Sequence, residues 1–390
     1  MQLKDRIIIK IDSVAFGGEG VGRIDNFVVF VPFSAAGDEL EVEITQLKKK
    51  FVRGRILRII KESPLRAKPL CRYYKKCGGC CYQHLSYEYQ LAIKKKQVED
   101  AFLRIGKIEN PPVLEAIASP GIYHYRGKAQ YHAGGVTDGR IIGFLDITGS
   151  KIVDIENCEI MEETINEKLR DLRESKQPLH EKDAQLIIWS DCPADMSGNK
   201  ESIVRIVKGK KLLVPRDGFF QANLYLTDRL VDEVCRLAGD NEMNTIVDAC
   251  CGSGLFSVFL SSYAKNVIGI EINEKSVKYA QINAGNLGIK NVRFIHGDIE
   301  KVFQGEFLQQ GDKIDLIVID PPRTGCEKAV LKSIVDLRPG NIIYISCNPA
   351  TQARDVKYLN ECGYDLQSLL PVDMFPQTSH AEVIGFMTLM

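Results

Sequence analysis

The second half of the chain alternates short apolar runs with longer amphipathic stretches. The apolar runs, rich in Val and Ile, cover residues 246–250, 267–272, 292–297, 314–320 and 342–346. Helix-like stretches between them cover residues 255–263, 274–287, 328–335 and 351–361. This alternation predicts an α/β domain with a parallel sheet wrapped by helices, whose ligand lies at the carboxyl ends of the strands. Residues 365–375 and 383–390 are predicted to close the sheet as an antiparallel pair.

The start of the chain has a different pattern, with β-branched runs separated by glycine-rich turns. The predicted strands cover residues 6–11, 27–31, 39–44 and 51–60. The run from Gly17 to Gly22 predicts a turn rather than a phosphate loop, because strand-like sequence follows it where a phosphate loop would open a helix. Short strands over about 55 residues are typical of a small oligonucleotide-binding barrel. Residues 63–69, with two prolines, are predicted to be a linker.

The region between these two parts is less regular. It contains a cysteine-rich stretch at 71–81 and a predicted helix at 87–103. Beyond it, weak strand signals cover residues 129–132, 140–145 and 186–189, and a helix-like stretch covers 161–175. This pattern predicts a mixed α/β region. We therefore divide the chain into residues 1–61, 62–215 and 216–390.

Composition narrows the class of protein. With 45% hydrophobic and 26% charged residues, the chain is of the soluble globular kind, not a disordered, collagen-like or low-complexity one. No apolar run approaches the roughly 18 residues that a membrane helix needs, and the N-terminus lacks a signal-peptide pattern. We therefore expect a cytoplasmic protein without membrane association. In that reducing compartment the 12 cysteines are expected to be thiols, metal ligands or catalysts rather than a disulfide framework.

A formal net charge of zero conceals an uneven distribution. Residues 1–110 carry 21 Lys and Arg against 13 Asp and Glu, and the remainder carries 30 against 38. The basic residues cluster at Lys48 to Lys50, at Arg53, Arg55 and Arg58, and at Lys94 to Lys96. Such clusters can neutralise phosphates, although a solvated charged face has the same pattern.

The turn after the first strand of the α/β domain indicates a nucleoside-containing cofactor. The sequence there is Val247-Asp248-Ala249-Cys250-Cys251-Gly252-Ser253-Gly254. Its glycines let the backbone approach a ligand, and Glu271, at the end of the next strand, is placed to accept hydrogen bonds from ribose hydroxyls. A dinucleotide fingerprint needs glycine at position 257, where this chain has Ser257. S-adenosylmethionine therefore fits better, with Asp298 near the adenine edge; the alternative is a tight turn before a capped helix.

Two further strand ends carry candidate chemistry. The fourth strand ends in Asp320-Pro321-Pro322-Arg323, a segment similar to those of methyltransferases that act on bases. The fifth ends in Ser346-Cys347-Asn348-Pro349, where the dipole of the following helix would favour the Cys347 thiolate. Four other cysteines are predicted to be buried apolar residues, namely Cys235, Cys251, Cys326 and Cys362.

A cysteine nucleophile beside a methyl donor points to methylation of pyrimidine carbon 5. That carbon is too electron-poor to accept a methyl group directly, so a thiolate must first add to carbon 6. A base must then remove the carbon 5 proton before the thiolate can leave. Glu382 is the candidate base, and His380 is the alternative.

At this point the chain resembles the S-adenosylmethionine-dependent RNA uracil-C5 methyltransferases, which make 5-methyluridine. Gly18 to Arg23, Val31-Pro32-Phe33 and Gly37-Asp38 resemble the family's TRAM barrel, and Phe219-Phe220-Gln221-Ala222-Asn223 resembles its Phe-Phe-Gln-x-Asn motif. The resemblance implies a Rossmann-like class I methyltransferase domain, with Cys347 as nucleophile and Glu382 as general base. It also implies cofactor contacts at Gln221, Cys250, Glu271, Asp298 and Asp320. Cys250 and Leu255 depart from the residues common in the family, which puts the local packing around adenosine in doubt.

Four further cysteines form a candidate metal site, namely Cys71, Cys77, Cys80 and Cys158. Spacing alone allows either zinc or an iron-sulfur cluster, since both accept four thiolates. Resemblance to cluster-bearing members of the family favours a [4Fe-4S] cluster. Cys81 is a competing ligand for Cys80, but the two-residue spacing from Cys77 favours Cys80. We expect such a cluster to staple distant parts of the fold and to help position RNA.

Three readings of the function remain at the level of sequence. The first is uridine C5 methylation in RNA, with 23S ribosomal RNA favoured and the T-loop of transfer RNA as the alternative. The second is an RNA-binding module without catalysis. The third is methylation of an exocyclic amine, for which the Asp-Pro-Pro segment suffices and no cysteine is needed. No obligate protein partner is evident.

Overall fold

The computed structural model describes residues 1–24, 27–136, 139–175, 184–192, 201–239, 243–307 and 313–390. Within these ranges, none of the helices combines the length and the apolar character that a bilayer span requires. The described residues form a small barrel, a mixed central region and a larger α/β unit.

The N-terminal residues form a closed five-stranded barrel. Its strands are β1 (Arg6–Val14), β2 (Glu19–Ile24), β3 (Phe27–Pro32), β4 (Glu39–Leu47) and β5 (Phe51–Lys61), in the order β1-β2-β3-β5-β4. Alternate residues such as Ile9, Val29 and Val42 point inward and are fully buried or nearly so, as period-two strands require. The predicted barrel is therefore confirmed.

The glycine-rich run was only partly predicted. Gly17 and Gly18 do form a turn, with φ of 94° and 96°. β2 begins directly after them, so the prediction of a turn as far as Gly22 is wrong. Gly20 and Gly22 are strand residues, and both positions are glycine because the barrel wall leaves no room for a side chain. A Cβ at Gly20 would collide with the Ser34 hydroxyl, and one at Gly22 with the Lys10 carbonyl oxygen.

The central region is built from two helices, a four-stranded antiparallel sheet and a hairpin. The elements are α1 (Tyr87–Arg104), β6 (Lys128–Val136), β7 (Gly139–Leu145), β8 (Ile152–Asp154), α2 (Glu163–Glu174), β9 (Ala184–Trp189), β10 (Ser202–Val207) and β11 (Lys210–Pro215). The sheet has the order β8-β7-β6-β9, and β10 pairs with β11. The hairpin packs Ile203, Leu212 and Val214 into the core of the following α/β unit.

The α/β unit contains a seven-stranded sheet. Its strands are β12 (Met243–Ala249), β13 (Ala264–Glu271), β14 (Val292–His296), β15 (Leu316–Ile319), β16 (Asn341–Ser346), β17 (Tyr364–Val372) and β18 (Glu382–Leu389). The helices are α3 (Thr227–Ala238), α4 (Leu255–Leu260), α5 (Glu274–Asn286), α6 (Ile299–Val302), α7 (Lys328–Leu337) and α8 (Pro349–Glu361), with a π-helical turn at Phe303–Phe307.

The order of these strands determines where a ligand can enter. The sheet runs β14-β13-β12-β15-β16-β18-β17, with the first five strands parallel and β18 antiparallel to both neighbours. The chain order reverses between β12 and β15, and a crevice therefore opens outside their carboxyl ends. The predicted parallel sheet and its antiparallel closing pair are both confirmed.

The basic clusters are largely paired within the protein. On β5, Arg53, Arg55 and Arg58 face Glu19, Glu43 and Glu41, respectively. On α1, Lys94 is buried against Asp373, while Lys95 pairs with Glu115 and Lys96 with Asp100. Lys94 is therefore neither available to a phosphate nor part of a solvated charged face.

Candidate active site

The loop after β12 is shaped by left-handed backbone and by one carboxylate. Cys250, Gly252 and Gly254 have φ of 66°, 55° and 84°. The Gly252 N–H donates to Oε2 of Glu271 at 3.0 Å, and the Asn273 N–H donates to Oε1 of the same residue at 2.8 Å. Glu271 thus links the ends of β12 and β13 at the mouth of the crevice.

A small pocket with a cavity volume of about 30 Å³ lies beside this loop. It is lined by Phe219, Phe220, Gln221, Cys250, Cys251, Gly252, Ser253, Leu255, Phe256 and Asp320. Three of the predicted cofactor residues, Gln221, Cys250 and Asp320, therefore share one cavity, and Glu271 is joined to its wall through Gly252. Asp298 does not line it: this residue caps α6, where its carboxylate accepts a hydrogen bond from the Lys301 N–H at 3.3 Å.

Two carboxyl groups lie at this crevice, with Asp248 fully buried and Asp320 partly buried. Burial raises the pKa of Asp320 to about 7, and the negative charge of Asp248 adds to that effect. Burial likewise raises the pKa of Asp248 to about 7, opposed by its hydrogen bonds from Ser257. The Gln221 amide faces Asp320, with Nε2 and Oδ2 separated by 3.5 Å. Both groups are therefore poised to change charge near neutral pH.

Strand register brings the two predicted catalytic residues to one edge. Ser346, the last residue of β16, pairs with Val383 of the antiparallel β18. Cys347 follows Ser346 and Glu382 precedes Val383. Because the two strands are antiparallel, Cys347 and Glu382 therefore lie at the same end of adjacent strands. The side chain of Arg323, from the segment after β15, lies close enough to the Cys347 thiol for its positive charge to lower the pKa of that thiol.

The electrostatics of this edge favour a protonated thiol and a protonated carboxyl group when no ligand is bound. Burial raises the pKa of Cys347, the charges of Glu382 and Asp320 raise it further, and Arg323 lowers it. Burial also raises the pKa of Glu382 well above its usual value. A helix does begin at Pro349, but its expected effect on the thiolate is outweighed by burial. His380 is neutral at physiological pH, since burial lowers its pKa to about 4.

The segments that follow β15 and β16 are tied together. The Asn348 side chain donates from Nδ2 to the Arg323 carbonyl oxygen at 3.1 Å and accepts from the Ala350 N–H at 3.2 Å. Thr351 Oγ1 also donates to the Arg323 carbonyl oxygen, at 3.3 Å. This brings Arg323 to the start of α8 and so to Cys347.

The four cysteines of the candidate metal site line one further pocket. Cys71, Cys77, Cys80 and Cys158 share it with Tyr74 and Arg126 among others. Burial raises the pKa of each thiol, and the Gly79 N–H donates to the Cys77 sulfur at 3.4 Å. Within the described ranges, however, no three Cys, His, Asp or Glu side chains form a group that can hold a metal ion. The donor set suits a cluster, but the cluster itself remains a prediction.

Comparison with known proteins identifies the family. A family model described as tRNA (Uracil-5-)-methyltransferase matches residues 201–388, and a TRAM domain model matches residues 5–57. An uncharacterised RNA methyltransferase of Halalkalibacterium halodurans is 32% identical, over 99% of this chain and 97% of its own. Another from Clostridium tetani is 34% identical, over 95% of this chain and 94% of its own. The chain belongs to the RNA (uracil-5-)-methyltransferase family.

A solved structure extends the likeness of this methyltransferase over the whole chain. The Pyrococcus abyssi tRNA (uracil-54, C5)-methyltransferase, crystallised with S-adenosyl-L-homocysteine, has a TM-score of 0.71 and 25% sequence identity. The match covers 98% of this chain and 100% of that one. The α/β unit therefore has the S-adenosylmethionine-dependent methyltransferase fold, and the N-terminal barrel is a TRAM domain, as the sequence predicted.

Sequence reasoning overlooked several residues of the methyltransferase site. The sequence pattern assigns no role to Asp248, although a carboxylate inside an apolar strand is a signal that the carboxyl group is buried. Arg323 was likewise given no function, and only the folded segment shows it at Cys347. Asn223 is structural: its Oδ1 accepts from the Tyr225 N–H at 2.9 Å and its Nδ2 donates to Ser119 Oγ at 3.0 Å.

Proposed function

We propose that this methyltransferase methylates carbon 5 of a uridine in RNA through a covalent cysteine intermediate. The observation that carries the proposal is the register of β16 and β18, which sets Cys347 and Glu382 side by side at the edge of the crevice. An exocyclic amine would need no such nucleophile, and a binding module would need neither residue. The catalytic reading therefore accounts for more of the site than its alternatives.

S-adenosylmethionine, when bound, would supply the methyl group. Gln221, Cys250, Glu271, Asp298 and Asp320 are the residues proposed to hold it, three of them in the pocket beside β12. The pocket combines the polar side chains of Gln221 and Asp320 with apolar side chains such as that of Phe256. A polar, nucleoside-containing ligand suits such a site.

The protein's own residues carry the two covalent steps. The Cys347 thiolate adds to carbon 6 of the uracil, which makes carbon 5 nucleophilic. After methylation, Glu382 removes the proton from carbon 5, and the electron pair of that C–H bond expels the Cys347 sulfur. A carboxyl group whose pKa burial has raised is a stronger base once ionised, and therefore suits this proton transfer.

The target base has to leave its stack to reach this buried edge. Flipping a loop uridine costs a few kcal/mol, which contacts to the flanking RNA must offset. The TRAM barrel and the exposed loop Lys48 to Lys50 are proposed to contribute such contacts. An RNA substrate also agrees with the expectation of a cytoplasmic enzyme. The division into residues 1–61, 62–215 and 216–390 remains our proposal for the domain boundaries.

We also propose that Cys71, Cys77, Cys80 and Cys158 hold a [4Fe-4S] cluster. Four thiols around one pocket and a backbone N–H directed at a cysteine sulfur support this proposal. When bound, the cluster would cross-link the cysteine-rich segment to Cys158, across the central region. The residues present thus fit the group chemically.

Ribosomal and transfer RNA are both candidate substrates. The cysteine set favours 23S ribosomal RNA, because the cluster-bearing members of the family that this chain resembles act more often on large-subunit ribosomal RNA, although some modify the T-loop of transfer RNA. The Pyrococcus abyssi enzyme, which acts on uracil 54 of tRNA, favours the T-loop of transfer RNA. We take ribosomal RNA as the first substrate to test.

Tritium release tests the reaction. RNA labelled at uracil carbon 5, in separate ribosomal and transfer fractions, is incubated with S-adenosylmethionine and anaerobically purified protein. We expect release from one fraction, loss of release in Cys347→Ala, and retention in Cys362→Ala, which removes a thiol at the far end of α8. Methyl incorporation without tritium release would place the reaction at another atom, and no incorporation would favour the binding module.

A further inference from the structure

The segment that leads into Glu382 is anchored by a helix of the central region. β17 ends at Val372 and β18 begins at Glu382, so residues 373–381 connect them. Two buried side chains of α1, Gln90 and Lys94, contact this connection. The position of the candidate general base is thus linked to a helix almost 290 residues earlier in the chain.

Lys94 makes the charged part of this anchor. Its Nζ lies 2.5 Å from Asp373 Oδ1 and donates to the Phe375 carbonyl oxygen at 3.0 Å. Both side chains of the ion pair are only 1% exposed. The Tyr87 hydroxyl, from the first turn of the same helix, lies beside the Asp373 carboxylate. The start of the connection therefore has fixed contacts on both its side chain and its backbone.

Gln90 makes the neutral part. Its Nε2 donates to Gln377 Oε1 at 3.1 Å, and its Oε1 accepts from the Gln377 N–H at 3.0 Å. Gln377 has φ of 69°, a left-handed conformation that is strained for a residue with a Cβ. Its carbonyl oxygen accepts from the Cys81 and Tyr82 N–H groups at 3.1 and 3.0 Å. Such a conformation persists only because the surroundings determine it.

A gain in folding stability does not explain the buried ion pair between Lys94 and Asp373. Taking two charges out of water costs about as much as their attraction returns, and an apolar pair of similar volume often serves the fold as well. A buried ion pair does, however, fix the position of the segments that carry it, because each charge must meet its partner. Catalysis needs such fixed positions here, since a misplacement of about 1 Å can cost on the order of a hundredfold in rate.

We propose that Lys94 is a positioning residue for the general base. Through Asp373 and the Phe375 carbonyl oxygen it fixes the connection that delivers Glu382 to the crevice. The inference rests on the proposed function, which assigns Glu382 to the removal of the carbon 5 proton. Loss of Lys94 then slows that proton transfer and leaves RNA binding and the addition of the Cys347 thiolate intact.

The test uses full-length protein and a double substitution. Lys94→Met with Asp373→Leu removes both charges and avoids leaving a buried carboxylate unpaired. Gln377→Gly is a second, independent variant, since glycine accepts the left-handed φ while the side-chain contact to Gln90 is lost. Lys95→Met is the matched control, as Lys95 is the next residue of α1 and pairs at the surface with Glu115.

The readouts separate positioning from a general structural role. They are RNA affinity, KM and kcat, tritium release, and the amount of methylated protein–RNA adduct that survives denaturation. We expect the double variant and Gln377→Gly to accumulate adduct, with kcat lower by roughly tenfold to a hundredfold and KM lower as well, because the slowed step follows formation of the adduct. Glu382→Gln should accumulate the same adduct, and Lys95→Met should not.

Two results would overturn the inference while leaving the proposed function in place. One is a folded double variant with wild-type kcat and no adduct. The other is a parallel fall in RNA binding, adduct formation and turnover, which a merely structural role would produce. Failure of the wild-type protein to release tritium would instead contradict the proposed function itself.

Discussion

Asp248 accepts both hydrogen bonds that Ser257 offers. The Ser257 N–H and hydroxyl lie 2.8 and 2.5 Å from the same carboxylate oxygen, Oδ2. The bonds join the end of β12 to the first turn of α4 and so fix the glycine-containing loop between them. They do not offset the full cost of burying the charge, because the pKa of Asp248 is raised to about 7.

This raised pKa predicts a pH-dependent cost to stability. The folded protein binds the Asp248 proton more tightly than the unfolded chain does, and this proton binding stabilises the fold. The stabilisation is fully present below the unfolded pKa of 3.8 and is lost as pH rises through about 7. Asp248→Asn keeps an oxygen for Ser257 and removes the charge. We expect the difference in free energy of unfolding between Asp248→Asn and wild type to shift by about 3 kcal/mol in favour of the variant as pH rises from 5 to 8.

Urea unfolding at several pH values checks this expectation. Asp336→Asn is the control, since Asp336 is paired with Lys332 at the surface. Parallel stability curves for wild type and Asp248→Asn would show that Asp248 does not titrate in this range.

Asp320 predicts a pH effect on cofactor affinity. Its pKa is raised to about 7 by burial and by the charge of Asp248, so its carboxylate becomes ionised as pH rises from 6 to 8. S-adenosylmethionine carries a positive sulfonium and S-adenosylhomocysteine does not. We expect affinity for the former to rise by about tenfold over this range, and affinity for the latter to change little.

Calorimetric titration of both ligands measures the difference. Asp320→Asn should make the two pH profiles run parallel. If the profiles are already parallel in the wild-type protein, the Asp320 charge does not act on the sulfonium.

The sheet could be predicted from the sequence because its strands are buried on both faces. Continuous Val- and Ile-rich runs such as residues 342–346 have few other interpretations when helices alternate with them. The candidate site followed from the same pattern, since Cys347 and Asp320 come directly after such runs. Strand register, which brings Glu382 beside Cys347, depends on pairing between β16 and β18 that no local pattern contains.

Other features depended on contacts between distant residues. Lys94 looks like part of a surface charge run, and its burial is decided by Asp373, 279 positions later. The barrel strand β2 was missed because Gly20 and Gly22, poor strand formers, are required there by close neighbours. The hairpin β10–β11 did leave a local signal. Lys208 and Gly209, with φ of 46° and 76°, form a two-residue loop of the hairpin type.

Arg323 is expected to control the reactivity of Cys347. Burial raises the pKa of the thiol, and the Arg323 guanidinium opposes that effect. Activity should therefore increase with pH as the thiolate forms. Arg323→Met should move this increase to higher pH and lower kcat/KM near neutrality by roughly tenfold, equivalent to about one pKa unit.

Alkylation by iodoacetamide, followed by mass spectrometry of the peptide that contains Cys347, reports the thiolate directly. Arg338→Met, at the carboxyl end of α7, is the control. An unchanged alkylation profile in Arg323→Met would mean that the guanidinium does not stabilise the thiolate.

The cysteine pocket predicts a specific pattern of metal loss. Cys71 and Cys80 line the pocket, whereas Cys81, the next residue along the chain, does not. We expect protein purified anaerobically to contain about four iron atoms per chain and no stoichiometric zinc. Cys71→Ser and Cys158→Ser should lose the iron and the associated visible absorption, and Cys81→Ser should retain both.

A cross-link between the cysteine-rich segment and Cys158 would also stabilise the fold, so the metal-free variants should unfold at lower denaturant concentration. Elemental analysis distinguishes iron from zinc, and a colourless Cys71→Ser protein with wild-type stability and activity would show that the cluster neither staples the fold nor positions the RNA.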